Sequence, residues 1–324
     1  MPDSILAADI GGTRARFLYG SDEAVKAYAL DLPTRDHTDF ASLLAAALIK
    51  LRMVDQLHTD AVLAVAGPVR RGSATLTNLG WGVEADELRR RVGLRRVILM
   101  NDLEAAAHAL AEQPPAAATV LRAGDPDASQ RTAVISVSTG LGVAYWSRHA
   151  GGLQVDAAEA GHAGFAPSDA WEVEFMGALE SRHGGRASWE RVLSGHGLAL
   201  LDAHLRRAEP RTPIEIARQA AAGEDAARTA VRRYSRLLGA FAGDLSLSAP
   251  ALGGIWLMGG VLTGLGSSFD RPMFLEGFGG KGRLSHRLED VPVRMTDDDR
   301  LGVRGAWAAA RQLPPSDRPR GRHI

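Results

Sequence analysis

Short runs of apolar, often β-branched residues alternate through the first hundred or so residues with segments in which apolar side chains recur at helical spacing. The pattern predicts strands at Ile5 to Ala8 and Phe17 to Tyr19, a helix around Phe40 to Leu51 and a strand at Ala61 to Val65. A helix at Glu84 to Val92 and a strand at Val97 to Met100 follow. Strands alternating with helices imply an α/β layer architecture. From Ala133 a second strand, turn and strand opens a larger region with helices near Ala170 to Leu179, Gly197 to Arg207, Ile214 to Ala222 and Ala226 to Leu245. A chain of 324 residues is long enough for two lobes. One uncharged stretch, Ala249 to Gly266, approaches the length of a membrane span. Glycines and Pro250 break it, so the strand-like Ile255-Trp256-Leu257-Met258 reads as a buried strand between turns.

Candidate chemistry collects where these patterns change. Val97-Ile98-Leu99-Met100-Asn101-Asp102 delivers an Asn-Asp pair just where a strand gives way to a helix. A carboxylate there sits on a rigid element at the mouth of a sheet, suited to a general base, although Asp and Asn are equally favoured as helix N-caps. Asp9-Ile10-Gly11-Gly12-Thr13 joins two strand patterns through a glycine turn. Adjacent glycines let backbone N–H groups approach phosphate oxygens, Thr13 adds a hydroxyl, and Asp9 can hold magnesium through its water shell. An ordinary Gly-Gly hairpin accounts for the same residues. Ser138-Thr139-Gly140-Leu141-Gly142 repeats the arrangement, suggesting a duplicated fold that clamps a nucleotide. Neither turn contains the Walker lysine signature or opens a helix as a dinucleotide fingerprint does, so a Walker ATPase and a Rossmann dehydrogenase both fit poorly. Glu159 and His162 stand three residues apart, and Glu190 precedes Ser194-Gly195. In isolation these read as surface loop residues and a solvated helix residue.

Taken in order, these motifs resemble the bacterial glucokinases, ATP-dependent hexose kinases of the actin, sugar-kinase and heat-shock-ATPase superfamily. The landmarks are Asp9 to Thr13, Ala66-Gly67-Pro68, Thr77-Asn78 with Trp81, Asn101-Asp102, Thr139 to Gly142, Glu159 to His162, Glu190 to Gly195, and Met258-Gly259-Gly260. The resemblance implies a two-lobed, ribonuclease-H-like (actin-like ATPase) α/β fold, with a small α/β lobe and a larger α+β lobe around an interlobe cleft that closes on the sugar. The small lobe is expected at 1–110 plus 300–324, with a closing helix at about Gly302 to Arg311 returning to it, and the large lobe at 111–299. Asp102 matches the base that takes the proton from the sugar 6-hydroxyl. Asn101, Glu159, His162 and Glu190, with Asn78 as a further contact, match residues that hydrogen-bond the pyranose hydroxyls. Asp9, Gly11, Gly12 and Thr13 match the first phosphate loop, Thr139 and Gly140 the second, and Gly259 and Gly260 the glycine pair near adenosine. ATP and Mg²⁺ are the implied cofactors, with no metal bound directly by the chain. Glucose is the implied substrate, and a homodimer is a common arrangement among such enzymes.

The chain departs from the family pattern at Ala163-Gly164, where an acidic or amide side chain usually precedes Phe165-Ala166-Pro167, and at His196, where proline is usual. Another hexose or amino sugar, such as mannose or glucosamine, therefore stays open as the acceptor, as does a non-catalytic sugar sensor of the same fold. The Asp102 base and both phosphate turns argue against the sensor, which has no chemical need for them.

Charge and composition narrow the rest. The 38 basic and 38 acidic side chains cancel, leaving no electrostatic reason to expect nucleic acid as a partner. Arg89-Arg90-Arg91 with Arg95-Arg96 reads as a solvated helix face, and Arg318 to Arg322 as a disordered end. The absence of cysteine excludes disulfides, thiolate catalysis and cysteine-ligated zinc, and opposes the repressor and open-reading-frame kinases with their cysteine-rich zinc loop. The apolar run near the start is too short for a signal peptide, so a cytoplasmic enzyme without membrane attachment is expected.

Overall fold

The computed structural model describes residues 4–21, 28–53, 56–76 and 78–314. Thr77, the first three residues and the basic run from Arg318 to Arg322 lie outside the described residues. The chain divides into two units, Met1–Gln113 with Asp299–Ile324, and Pro114–Asp298.

In the first unit β1 (Ser4–Ile10) turns back into β2 (Arg14–Ser21), which pairs in turn with β3 (Tyr28–Pro33). Helix α1 (Phe40–Lys50) leads to β4 (Thr59–Val65), buried at every position because it lies between β1 and another parallel strand. A three-stranded antiparallel sheet of β5 (Val69–Arg70), β6 (Ser73–Leu76) and β7 (Trp81–Glu84) follows, then α2 (Ala85–Val92), β8 (Arg96–Asn101) and α3 (Asp102–Glu112). The main sheet runs β3-β2-β1-β4-β8, with β1, β4 and β8 parallel. One face is covered by Phe40, Leu43, Leu44 and Leu88 of α1 and α2. On the other, Val303, Ala306 and Ala310 of the closing helix Leu301–Arg311 meet Ile5, Ala7, Val62, Ala64 and Ala105.

The second unit repeats the plan. After β9 (Thr119–Arg122), β10 (Thr132–Val137), β11 (Leu141–His149) and β12 (Gly152–Ala158) form an antiparallel meander. The helices α4 (Ala170–Arg182), α5 (Trp189–Leu193), α6 (Gly195–Arg206), α7 (Pro213–Ala221) and α8 (Asp225–Ser248) come next. Then β13 (Gly254–Met258) pairs parallel to β10, followed by α9 (Gly260–Leu265), α10 (Arg271–Gly279) and β14 (Val293–Met295). The sheet order β12-β11-β10-β13-β14, closed by β9, matches β3-β2-β1-β4-β8 strand for strand. This is the duplication that the two hairpin turns suggest, and it matches the ribonuclease-H-like fold that the resemblance implies. The core of this unit is aromatic, with Tyr234, Phe241, Phe274 and Phe278 fully buried between α8, α10 and the sheet. Each such side chain contributes about 1.5–3 kcal/mol of burial. The stretch Ala249 to Gly266 resolves into β13 and α9, and among the described residues no helix is long and apolar enough to cross a membrane.

Candidate active site

Register fixes where the chemistry collects. In the first unit Ile10 of β1 pairs with Val65 of β4, and Val65 with Asn101 of β8, so three parallel strands end on one level. Ligands of α/β sheets bind at such carboxyl edges. Asp9, the Gly11-Gly12-Thr13 turn, Gly67 and Asp102 all lie at that edge. Asn101 is itself the N-cap of α3: its Oδ1 accepts the N–H groups of Leu103 (2.9 Å) and Glu104 (3.3 Å), while its Nδ2 donates to the Gly67 carbonyl (3.1 Å). The Leu103 N–H is shared with Asp102 Oδ1 (2.9 Å). Asn101 closes the helix, and Asp102 is left at its first position with a partly buried carboxylate. Burial raises the Asp102 pKa above the usual carboxylate range, against the N–H of Leu103, which favours the ionised form.

The turn after β1 is closed by the Gly11 N–H donating to the Arg14 carbonyl (3.0 Å), so Gly11 shapes the loop and Gly12 and Thr13 are exposed on it. Thr34 Oγ1 donates to the Gly12 carbonyl (2.9 Å), and a Cβ on Gly12 would stand 3.4 Å from that of Asn78. Asp9 pairs across the hairpin with Arg16, whose Nη1 lies 3.8 Å from Asp9 Oδ2 while its Nη2 bonds Asp299. The Asp9 side chain is 17% exposed. Burial and then the Asp102 charge push its pKa up to about 6, with Arg16 opposing them. Gly302, in the first turn of the closing helix, leaves room for this carboxylate: a Cβ there would come within 2.6 Å of Asp9 Cγ.

In the second unit β10 and β13 bring the Thr139-Gly140 turn and Gly259-Gly260 to the corresponding edge. The turn closes through the Ser138 N–H and the Gly140 carbonyl (2.9 Å). Gly259 has φ 112°, and a Cβ on it would lie 2.3 Å from the Val137 carbonyl, so only glycine fits there. Glu190, on α5, points its carboxylate at the turn: Oε2 accepts the Leu141 N–H (3.2 Å) and occupies the space, 2.7 Å away, where a Gly140 side chain would begin. Its other oxygen is 3.9 Å from His162 Nδ1, and His162 Nε2 is 3.7 Å from Glu159. Glu159, His162 and Glu190 thus form one polar cluster, with Glu159 and His162 exposed and Glu190 only 27% so. Ala163 and Phe165 pair with the start of α5 and the segment before it through Trp189 N–H to Ala163 O (3.0 Å) and Phe165 N–H to Ala187 O (3.0 Å), and open space faces Gly164. Thr139 and Gly260 also line a cavity of about 720 Å³ whose walls include His196, Val261 and residues Pro210 to Ile214.

A family model for glucokinase matches residues 6–313. The chain belongs to the glucokinase family. It is similar to the glucokinase of Caulobacter vibrioides, 34% identical over 311 residues that cover 94% of each protein. It is also similar to the crystal structure of a glucokinase from an Antarctic psychrotroph, at 29% identity, a TM-score of 0.85 and coverage of 97% of this chain and 100% of that one. The glucokinase of Balamuthia mandrillaris, solved in complex with glucose, shares the fold at 20% identity and a TM-score of 0.78, over 95% and 94% of the two chains. Two contacts in this glucokinase-family chain, Asp9 with Arg16 and Leu141 with Glu190, escape a reading by motif. Arg16 was accessible by counting across the hairpin, since a turn at residues 11–14 puts it opposite Asp9. The hydrogen bond from Leu141 to Glu190 spans 49 positions and leaves no local mark.

Proposed function

We propose that the chain transfers the γ-phosphoryl group of ATP to the 6-hydroxyl of glucose, giving glucose 6-phosphate and ADP, with Asp102 as the general base. The observation that carries this reading is a partly buried carboxylate with raised proton affinity, held at the level where three parallel strands end. A base works best with a pKa drawn toward the operating pH, and positioning supplies most of the rest in phosphoryl transfer. Asp102 accepts the proton of the 6-hydroxyl as its oxygen forms the new bond to phosphorus and the bond to the ADP oxygen breaks.

Asn78, Asn101, Glu159, His162 and Glu190 then hydrogen-bond the sugar hydroxyls. Carboxylates, amides and an imidazole suit hydroxyls that each donate and accept, and a buried group left unpaired rejects the wrong epimer. Gly12 and Thr13, on the turn shaped by Gly11, and Thr139 with Gly140 on the second turn hold phosphate oxygens. Gly259 and Gly260 border the adenosine, which the 720 Å³ cavity seats. Two acidic side chains, Asp9 and Asp102, interact with little compensation beyond Arg16, and that donor set fits Mg²⁺ held through water. Bound there with ATP, the ion neutralises phosphate charge. His196 lines the nucleotide cavity, so that departure bears on the donor, whereas Gly164 adjoins the Glu159 to His162 cluster and bears on the sugar. The reading assigns the enzyme to the cytoplasm, where ATP and free hexose meet.

Asp102→Asn tests the assignment. Glucose binding measured by calorimetry should stay near wild type while kcat falls roughly 10²- to 10⁴-fold. Turnover close to wild type would remove Asp102 as the base.

A further inference from the structure

Five consecutive residues of the cavity wall, Pro210 to Ile214, run from the connection between α6 and α7 into the first turn of α7. Residues 207–210 of that connection are exposed, so its own side chains bury little that would hold it in place. The anchor comes from beneath. Asp202, one turn from the end of α6, has no exposed surface. Its Oδ2 accepts from Arg206 Nε (2.9 Å) and Arg211 Nε (3.0 Å), and its Oδ1 from Arg211 Nη2. The remaining Arg211 nitrogen, Nη1, bonds Glu224 at the start of α8, and Arg206 Nη2 donates to the Glu209 carbonyl (2.6 Å). Two guanidinium groups and two carboxylates thus balance in charge, and the planar fork of Arg211 ties three elements at once. At the far end of the connection Thr212 caps α7 through Glu215, and Pro213 opens that helix.

We infer that Asp202 and Arg211 are positioning residues for the phosphoryl donor: they fix the Pro210 to Ile214 wall of the nucleotide cavity without touching the reacting atoms. The inference rests on the nucleotide reading of that cavity. The wall is largely apolar, through Pro210, Pro213, Ile214 and Val261, so it holds a flat heteroaromatic base by shape. Such a wall recognises its ligand only while its backbone stays in place, and the fork keeps it there. Freed, the connection must be ordered again each time a nucleotide binds, and the cost falls on donor affinity alone.

The test uses the full chain and a fluorescent ATP analogue titrated to equilibrium, with thermal melting and steady-state kinetics alongside. Arg211→Gln, which leaves Asp202 paired with Arg206, is compared with Arg211→Lys and with Arg236→Gln. The last breaks another buried pair, Arg236 with Glu172, away from the cavity. Arg211→Gln should weaken the analogue about tenfold, the scale of re-immobilising one or two side chains, and Arg211→Lys by less. The KM for ATP should rise in parallel, with kcat and the KM for glucose unchanged. Arg236→Gln should lower the melting temperature and leave analogue affinity as in wild type. Wild-type affinity in Arg211→Gln, or equal weakening in Arg236→Gln, overturns the inference. A wild-type protein that binds no analogue overturns the nucleotide reading of the cavity and the inference with it.

Discussion

Asp9 carries a cost that can be measured without any ligand. Its carboxyl is largely buried beside Asp102, and its pKa stands at about 6 against 3.8 for the free side chain. The folded state therefore holds this proton more tightly than the unfolded chain does, so protonation of Asp9 favours folding and its ionisation opposes folding. The loss begins above pH 3.8 and is complete once the pH has passed 6. At 1.36 kcal/mol per pH unit the difference is about 3 kcal/mol by pH 8. Asp9→Asn removes the titration and keeps the shape. In the apo protein, with chelator present, it should be more stable than wild type at pH 8 by up to about 3 kcal/mol, less what Arg16 loses with this partner while keeping Asp299. The gap should widen by about 2 kcal/mol between pH 4 and pH 7, and subtracting the two proteins cancels every other titrating group to first order. Urea unfolding across that range is the assay. A variant no more stable than wild type at pH 8, or a gap independent of pH, refutes the argument that burial and Asp102 destabilise the Asp9 charge. The same variant should lose turnover, since the charge that weakens the fold is the one proposed to face magnesium.

Two further outcomes follow from the second unit. Glu159→Gln should weaken glucose binding several-fold, about 1 kcal/mol for exchanging a hydrogen bond to a charged group for one to a neutral group, and calorimetry showing unchanged affinity would remove Glu159 from the sugar contacts. Gly140→Ala drives a Cβ to within 2.7 Å of Glu190 Oε2, so the carboxylate must swing away from the Leu141 N–H. Its KM should rise for both glucose and ATP if Glu190 holds the sugar and steadies the phosphate turn as proposed, and a rise confined to ATP would show that Glu190 does not couple them.

The elements that were legible in the sequence are those whose pattern is local. Both glycine hairpins announce themselves through alternating strands around a Gly/Thr turn, and the helices α1, α3 and α8 through period and length. The strands that escaped lack such a mark. β12 is exposed or half-exposed at every position, so no apolar face shows in its sequence, and β5 to β7 span two to four residues each. Helix α10 escaped too, its glycines masking the period. Helix ends moved by a residue or two where caps decide them. Glu84 accepts the N–H groups of Asp86 and Glu87 and so precedes α2, and with Ser194 as its cap α6 starts at Gly195, two residues before the expected start. At the site, a motif names a residue but not its surroundings. Glu190 alone reads as a solvated helix residue, yet 49 positions separate it from the backbone N–H that its carboxylate accepts. Asp202 and Arg211 carry no motif, and only the packing of α6, α7 and α8 joins them.

The central claim is that the base and the two phosphate turns serve a hexose, with glucose preferred. ADP release with ATP and Mg²⁺ should be measured for the wild-type chain across glucose, mannose, fructose, glucosamine and N-acetylglucosamine. Release that depends on the acceptor, with the highest kcat/KM for glucose, is the result predicted here. A higher kcat/KM for another sugar, or no acceptor-dependent release with folded protein, would contradict it.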